Sequence, residues 1–275
     1  MGIVIPNAYA LALAATEDAN HPIIGYDNVV TVDTVTADQA DTDYPATNLA
    51  SPSTAELWKS GSTAAQKVTV LFDAATVDYI GLARHNLGSG LCPVTIQGLP
   101  PSGNAGTDGD WVELVAQQLL ADDSPVIFRF TPGIYKGLRL KLVPASVQPQ
   151  AAVLYCGALL VFERGVQVGF TPINYGRQPN VVNLRSQGGD FLGRIVLGGT
   201  LVTSATIIDL SPDWYRSTLD PFFAASATTP FFWAWSPQDY PAEVGFAWLT
   251  SDPMPVVSQL PGYINVALQM EGIRS

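Results

Sequence analysis

Lys67-Val68-Thr69-Val70-Leu71-Phe72, followed after four residues by Val77-Asp78-Tyr79-Ile80-Gly81-Leu82-Ala83, is the stretch that decides the fold. β-Branched residues alternate with polar ones here, a pattern that suits a pleated surface buried on one face. Upstream, Val29 to Val35 repeats the alternation. Downstream, Pro93 to Gly98, Val126 to Phe130, Gly137 to Val143 and Val153 to Phe162 continue it. Between these runs lie Gly88-Ser89-Gly90, Pro100 to Asp110, Ala121 to Pro125 and Pro144 to Pro149, all rich in turn-forming residues. Short strands so punctuated predict a sandwich or barrel. No β-α-β alternation and no long amphipathic helix is visible in this half.

A boundary is expected at Glu163-Arg164-Gly165, dividing the chain into residues 1–164 and 165–275. The first unit is expected to fold alone. In the second, Val166 to Phe170, Val181 to Leu184, Arg194 to Val202, Ser204 to Leu210, Phe231 to Trp235, Val244 to Thr250 and Ile264 to Glu271 read as strands. One helix is predicted after Ser211, which can N-cap, with Pro212 at the first helical position and Asp213 favouring the dipole. Tyr215, Leu219, Phe222 and Phe223 give it an apolar face, and Pro221 should kink or end it. The strand Phe231 to Trp235 is apolar on both faces, since successive side chains point oppositely. It therefore needs a cover on each side, either the helix or another subunit. Aromatics favour interface centres, so Phe231, Trp233 and Trp235 are candidate self-association residues.

Hydrophobic residues form 47% of the 275 and charged residues only 13%, against about a quarter in ordinary soluble domains. So few charges imply neutral or apolar surface that copies or neighbours would cover. Disorder is excluded by the same composition. The net charge of -11, with thirteen basic residues scattered singly, argues against nucleic acid and against anionic membrane surfaces. Ala8 to Ala15 is apolar but too short to span a bilayer, and no basic residue precedes it, the first being Lys59. Cytoplasmic synthesis as a soluble chain is the expectation. Cys92 and Cys156 lie in apolar runs and read as buried free thiols.

Catalytic motifs do not emerge. Two histidines, no G-x-S-x-G and no phosphate-binding glycine loop leave no reason to expect an enzyme or a cofactor. Two polar constellations stand out. Asp38, Asp41 and Asp43 are candidate calcium ligands, with a solvated acidic loop as the other reading. Arg84-His85-Asn86 closes an apolar strand and is a candidate contact for a glycan or a neighbouring subunit, unless it bonds its own turn. Trp58 and Trp111 could stack on a sugar, although a Trp beside alternating strands is more often core.

Tyr44-Pro45-Ala46-Thr47-Asn48-Leu49, then Ser53-Thr54 and Trp58-Lys59-Ser60, resembles the opening of discoidin-like, galactose-binding-fold domains. Lys67 to Phe72, Asp78 to Leu82, Trp111 to Leu114 and Gly137 to Leu142 resemble later strands of that family, so that the likeness spans about residues 25 to 163. Arg84 to Gly88, Gly165 to Thr171, Gly189 to Arg194, Pro221-Phe222, Pro230 to Phe232 and Trp235 to Tyr240 are similar to bacteriophage tail-tip or baseplate proteins, in which a discoidin-like domain is joined to a second β-domain. The resemblance implies an all-β chain: a discoidin-like jelly-roll sandwich, then a smaller antiparallel β-domain with one short helix. It further implies a structural component of the virion tail that contacts other tail proteins and forms a cyclic trimer or hexamer. A carbohydrate-binding module attaching to a surface glycan is the alternative.

Overall fold

The computed structural model describes residues 2–273 and is all-β, built on two large sheets. The deciding stretch lies in one 20-residue strand, Gln66–His85, paired antiparallel along most of its length with the 17-residue strand Val126–Leu142. Breaks in register near Leu71 to Tyr79 let both strands bend, so that the pair serves two walls of a sandwich. Gln150–Gly157 and Val94–Leu99 flank them; Trp58–Lys59 and Val112–Gln118 form the edges. Ile3–Val4 adds a parallel pairing and Val35–Ala37 an antiparallel one. Inside lie Val68, Val70, Ile80, Leu82, Phe128, Leu138, Leu140 and Trp58. The indole N–H of Trp58 donates to the Gln39 carbonyl and that of Trp111 to Ala105, and both rings are buried. These tryptophans are core.

The second sheet runs Leu160–Val161, Ile23–Gly25, Phe231–Ala234, Val244–Leu249, Ile264–Gly272, Phe191–Leu210 and Arg177–Arg185 in spatial order. Two of its strands, Ile23–Gly25 and Leu160–Val161, precede Gly165 in sequence, so the sheet crosses the expected boundary. Glu163 ties the halves further by accepting both the backbone N–H and the hydroxyl of Ser211. That hydroxyl consequently makes no helix cap. The helix itself runs Pro212–Trp214, a π-turn Tyr215–Leu219, then Asp220–Ser226. Pro221 therefore does not end it. The wider turn falls just before the ring, where the missing donor would otherwise break the ladder.

The two-faced strand finds both covers within its own chain. Phe231 and Trp233 face the helix, with the Phe222 and Phe231 ring centroids 5.0 Å apart. Phe232 and Ala234 face the first sheet, where Tyr155 meets Phe232 edge-on at 5.6 Å. Gly81 makes this approach possible: a Cβ there would sit 2.5 Å from the Phe232 ring. Gly25, paired with Phe232, lies against Tyr79 in the same way, at 2.6 Å. Phe231 and Trp233 are thus fully buried core rather than the exposed self-association surface expected of them. Two further expectations change. Val29 to Thr34 is a loop, its Val30 buried without strand pairing, and Val166 to Phe170 makes only a single bridge, Val166 to Ile207.

One region has no core. Arg177–Arg185 and the first ten residues of Phe191–Leu210 form a two-stranded arm that leaves the sheet beyond Leu201, where pairing with Ile264–Gly272 begins. Its turn, Ser186 to Asp190, holds Gly189 at φ 90°, a left-handed conformation suited to glycine.

Because the sheets share the Phe232 surface, Phe232→Ala should cost about 3–5 kcal/mol, and Gly81→Val should also destabilise. Urea denaturation followed by calorimetry checks this. Each variant should lower one common transition, and two separately melting units would show that the shared core does not couple the halves.

Candidate binding groove

Where the arm leaves the second sheet, an open groove of about 670 Å³ is lined by Phe170, Thr171, Tyr175, Arg177, Gln178, Thr203, Ser204, Thr250 and Gln269. The loop that builds it is pegged by Ile173, 1% exposed, whose side chain fills the space left by Gly245 and Gly272. With Ile173 sunk, the short 3₁₀ turn Ile173–Tyr175 presents Tyr175 outward, 59% exposed. Gly176 then touches the neighbouring strand so closely that a Cβ would lie 1.7 Å from the Val202 carbonyl, while its own carbonyl accepts the Val202 N–H at 2.8 Å. Only glycine allows that contact, and it fixes Tyr175 and Arg177 on either side of the groove wall.

Behind the groove stands a small aromatic stack. Phe170 meets Trp235 edge-on at 5.0 Å, and Trp235 lies nearly parallel to Tyr240 at 4.8 Å. The Trp235 indole donates to the Glu243 carboxylate. The same carboxylate lies close enough to the Tyr175 hydroxyl to raise its pKa above the ordinary phenol value. The exposed Tyr175 ring stands at the rim, with a guanidinium, amides and hydroxyls around it. This arrangement offers stacking and directed hydrogen bonds to a polar ring-shaped ligand and has no activated nucleophile among its lining residues.

The residues singled out from sequence lie elsewhere, except Trp235. Arg84 is exposed at φ 55°, and its neighbours face inward. His85 is 5% exposed; its Nε2 donates to the Ser124 carbonyl and its Nδ1 accepts the Leu87 N–H. Asn86 donates to Gln148 and accepts from Gln150. Two of the three therefore secure the chain's own loops. Asp38 accepts the Lys67 N–H and Asp41 the Asp43 N–H. No three His, Cys, Asp or Glu converge on a metal position among the described residues, so the candidate calcium ligands are not assembled into a site. Burial pushes the Cys92 thiol up to about 11 and the Cys156 thiol higher still, which keeps both protonated and unreactive. Sequence reading missed Tyr175, Arg177 and Thr203. They lie on a short turn and on two different strands, and no sequence motif joins them.

No family model and no curated protein matches the sequence. Solved structures align over part of the chain. One is chitosan-binding module 1 from a chitosanase/glucanase of Paenibacillus sp. IK-5, 18% identical, covering 48% of this chain and 98% of the module, with a TM-score of 0.41. Another is the family 32 carbohydrate-binding module of Clostridium perfringens NanJ in complex with galactose, 12% identical, covering 50% and 99%, TM-score 0.40. A third is the corresponding module of AlyQ in complex with 4,5-unsaturated mannuronic acid, 16% identical, covering 48% and 95%, TM-score 0.38.

Burial lowers the pKa of His85 below its ordinary value, so its contribution to stability is present above about pH 6.5 and is lost as pH falls through the depressed folded value. Asp78, raised to about 6 by burial, acts oppositely, favouring the folded state as pH falls. The His85 term is isolated by comparison with His85→Gln, which should flatten the acid-side loss. Melting temperatures of both proteins at intervals between about pH 5 and 7.5 check it.

Proposed function

We propose that this chain is a non-catalytic attachment protein that holds a carbohydrate in the groove at the base of the arm. The observation that carries the reading is the exposed Tyr175 ring, presented by the buried Ile173 and surrounded by Arg177, Gln178, Ser204 and Gln269. A pyranose has one apolar face for the ring and hydroxyls for the amides and guanidinium. The Arg177 cation favours sugars carrying a carboxylate over neutral ones.

A second reading is a structural component of a phage tail tip or baseplate, located in the virion tail. The arm favours it, because Phe191, Leu192, Val196 and Leu197 are each more than half exposed in a chain with only 13% charged residues. The two readings are compatible in one molecule, since one surface can assemble while another attaches.

Titration calorimetry with neutral and uronic-acid oligosaccharides tests the first reading. Binding should weaken at least about tenfold in Tyr175→Ala and lose its preference for acidic sugars in Arg177→Ala. Stability should change little, both side chains being exposed. Absence of saccharide binding at millimolar concentration, or binding unaffected by either change, would overturn it.

A further inference from the structure

We infer that the arm of one copy seats in a groove on the body of a second copy, a head-to-tail contact between unlike surfaces. The inference names the partner for the assembly reading and does not depend on carbohydrate binding.

The arm cannot be satisfied where it stands. Val182, Leu184, Phe191, Leu192, Ile195, Val196 and Leu197 are 42–66% exposed, and among the described residues the ribbon pairs with no third strand beyond Leu201. An isolated two-stranded ribbon is marginally stable in water. Among the described residues both its edges are open, because Arg177–Arg185 ends the sheet and residues 191–200 pair only with that strand. Register breaks opposite Gly193 and Gly198, both at positive φ, twist the ribbon away from a flat edge that would invite indiscriminate pairing.

Charge identifies the occupant. Residues 177–201 carry Arg177, Arg185 and Arg194 against Asp190, a net of +2. The whole chain carries -11, so the remainder carries -13. Arm on arm would bring arginines together, whereas arm on body joins opposite charges. The body supplies a matching groove of about 480 Å³ between the helix Asp220–Ser226 and the chain after Leu249. Its apolar lining includes the buried Phe223 and the half-buried Leu249, and the exposed Asp220 and Asp252 also line it. These two carboxylates lie near enough to Tyr215 that both raise its pKa, after burial. An apolar lining with two acids suits Phe191 and Leu192 flanked by Arg185 and Arg194.

A copy cannot fill its own groove. Leu249 is in register with Met270, and Met270 with Thr203, so the groove lies level with the arm's base. Ten extended residues carry the tip roughly 30 Å beyond it. The contact is consequently intermolecular and between different surfaces, which builds rings where the rotation closes.

Light scattering of the full chain, with near-ultraviolet circular dichroism to verify folding, tests the contact. The native protein should associate at high micromolar concentration, and more weakly as salt rises. The paired reversal Arg185→Asp with Arg194→Asp should be monomeric, as should Asp220→Arg with Asp252→Arg. Mixing the two reversed proteins should restore a complex, since each then offers one native surface and one complementary reversed surface. A native protein that stays monomeric overturns both this contact and self-association. An oligomer that survives either reversal, or folded reversed proteins that fail to associate on mixing, overturns the arm-and-groove contact alone.

Discussion

The structure depends on the approach of Phe232 to the first sheet at Gly81. A side chain at position 81 would occupy the space of the aromatic ring, and Gly25 clears equivalent space for Tyr79 on the opposing sheet. Around this contact Tyr155, Phe246, Val244, Ile23 and Ile127 close into one core, to which both halves of the chain contribute. Burying each large side chain is worth about 1.5–3 kcal/mol, so the junction is a substantial part of the stability rather than a linker between independent units.

That shared core explains why the candidate functional surfaces lie where they do. With Phe231 and Trp233 consumed inside, the second sheet has only its far edge to offer, and the long strand Phe191–Leu210 carries that edge past its neighbours. The polar groove forms where the strand ceases to be covered, and the arm begins there. Gly176 and Ile173 act as a pair at this point, one permitting close contact with Val202 and the other filling the space beside Gly245 and Gly272. The position of Tyr175 on the groove wall follows from this backbone packing.

The polar residues most conspicuous in the sequence serve structure instead. His85 and Asn86 bond the loops at the end of the sandwich, and Asp38 and Asp41 accept backbone N–H groups. A short-range polar cluster beside a turn has backbone donors and acceptors at hand, and satisfying them comes first. Arg139 shows the same economy: its guanidinium stacks on Trp111 at 4.3 Å and bonds Gln97 and Asp108.

Alternation in Lys67 to Phe72 and Val77 to Ala83 was enough to read the all-β class and two separate strands, because a period of two is a local property of the pleat, but not their union in the one strand Gln66–His85. It also revealed that Phe231 to Ala234 is apolar on both faces and must be covered twice. Which surface supplied the second cover was beyond local pattern: Gly81 and Tyr155 lie far away in sequence, and only the folded chain brings them to Phe232. Ile23–Gly25 joined the second sheet for the same reason, since a three-residue strand carries no mark of its partner. Val29 to Thr34 alternates like a strand yet is a loop, its backbone taken up by turns at Thr31 and Thr34. The groove was illegible because its walls come from a loop, a sheet edge and two further strands, and a site made by convergence leaves no spacing in the sequence. The arm's strands were legible, but their exposure was not, because exposure is set by where neighbouring strands stop.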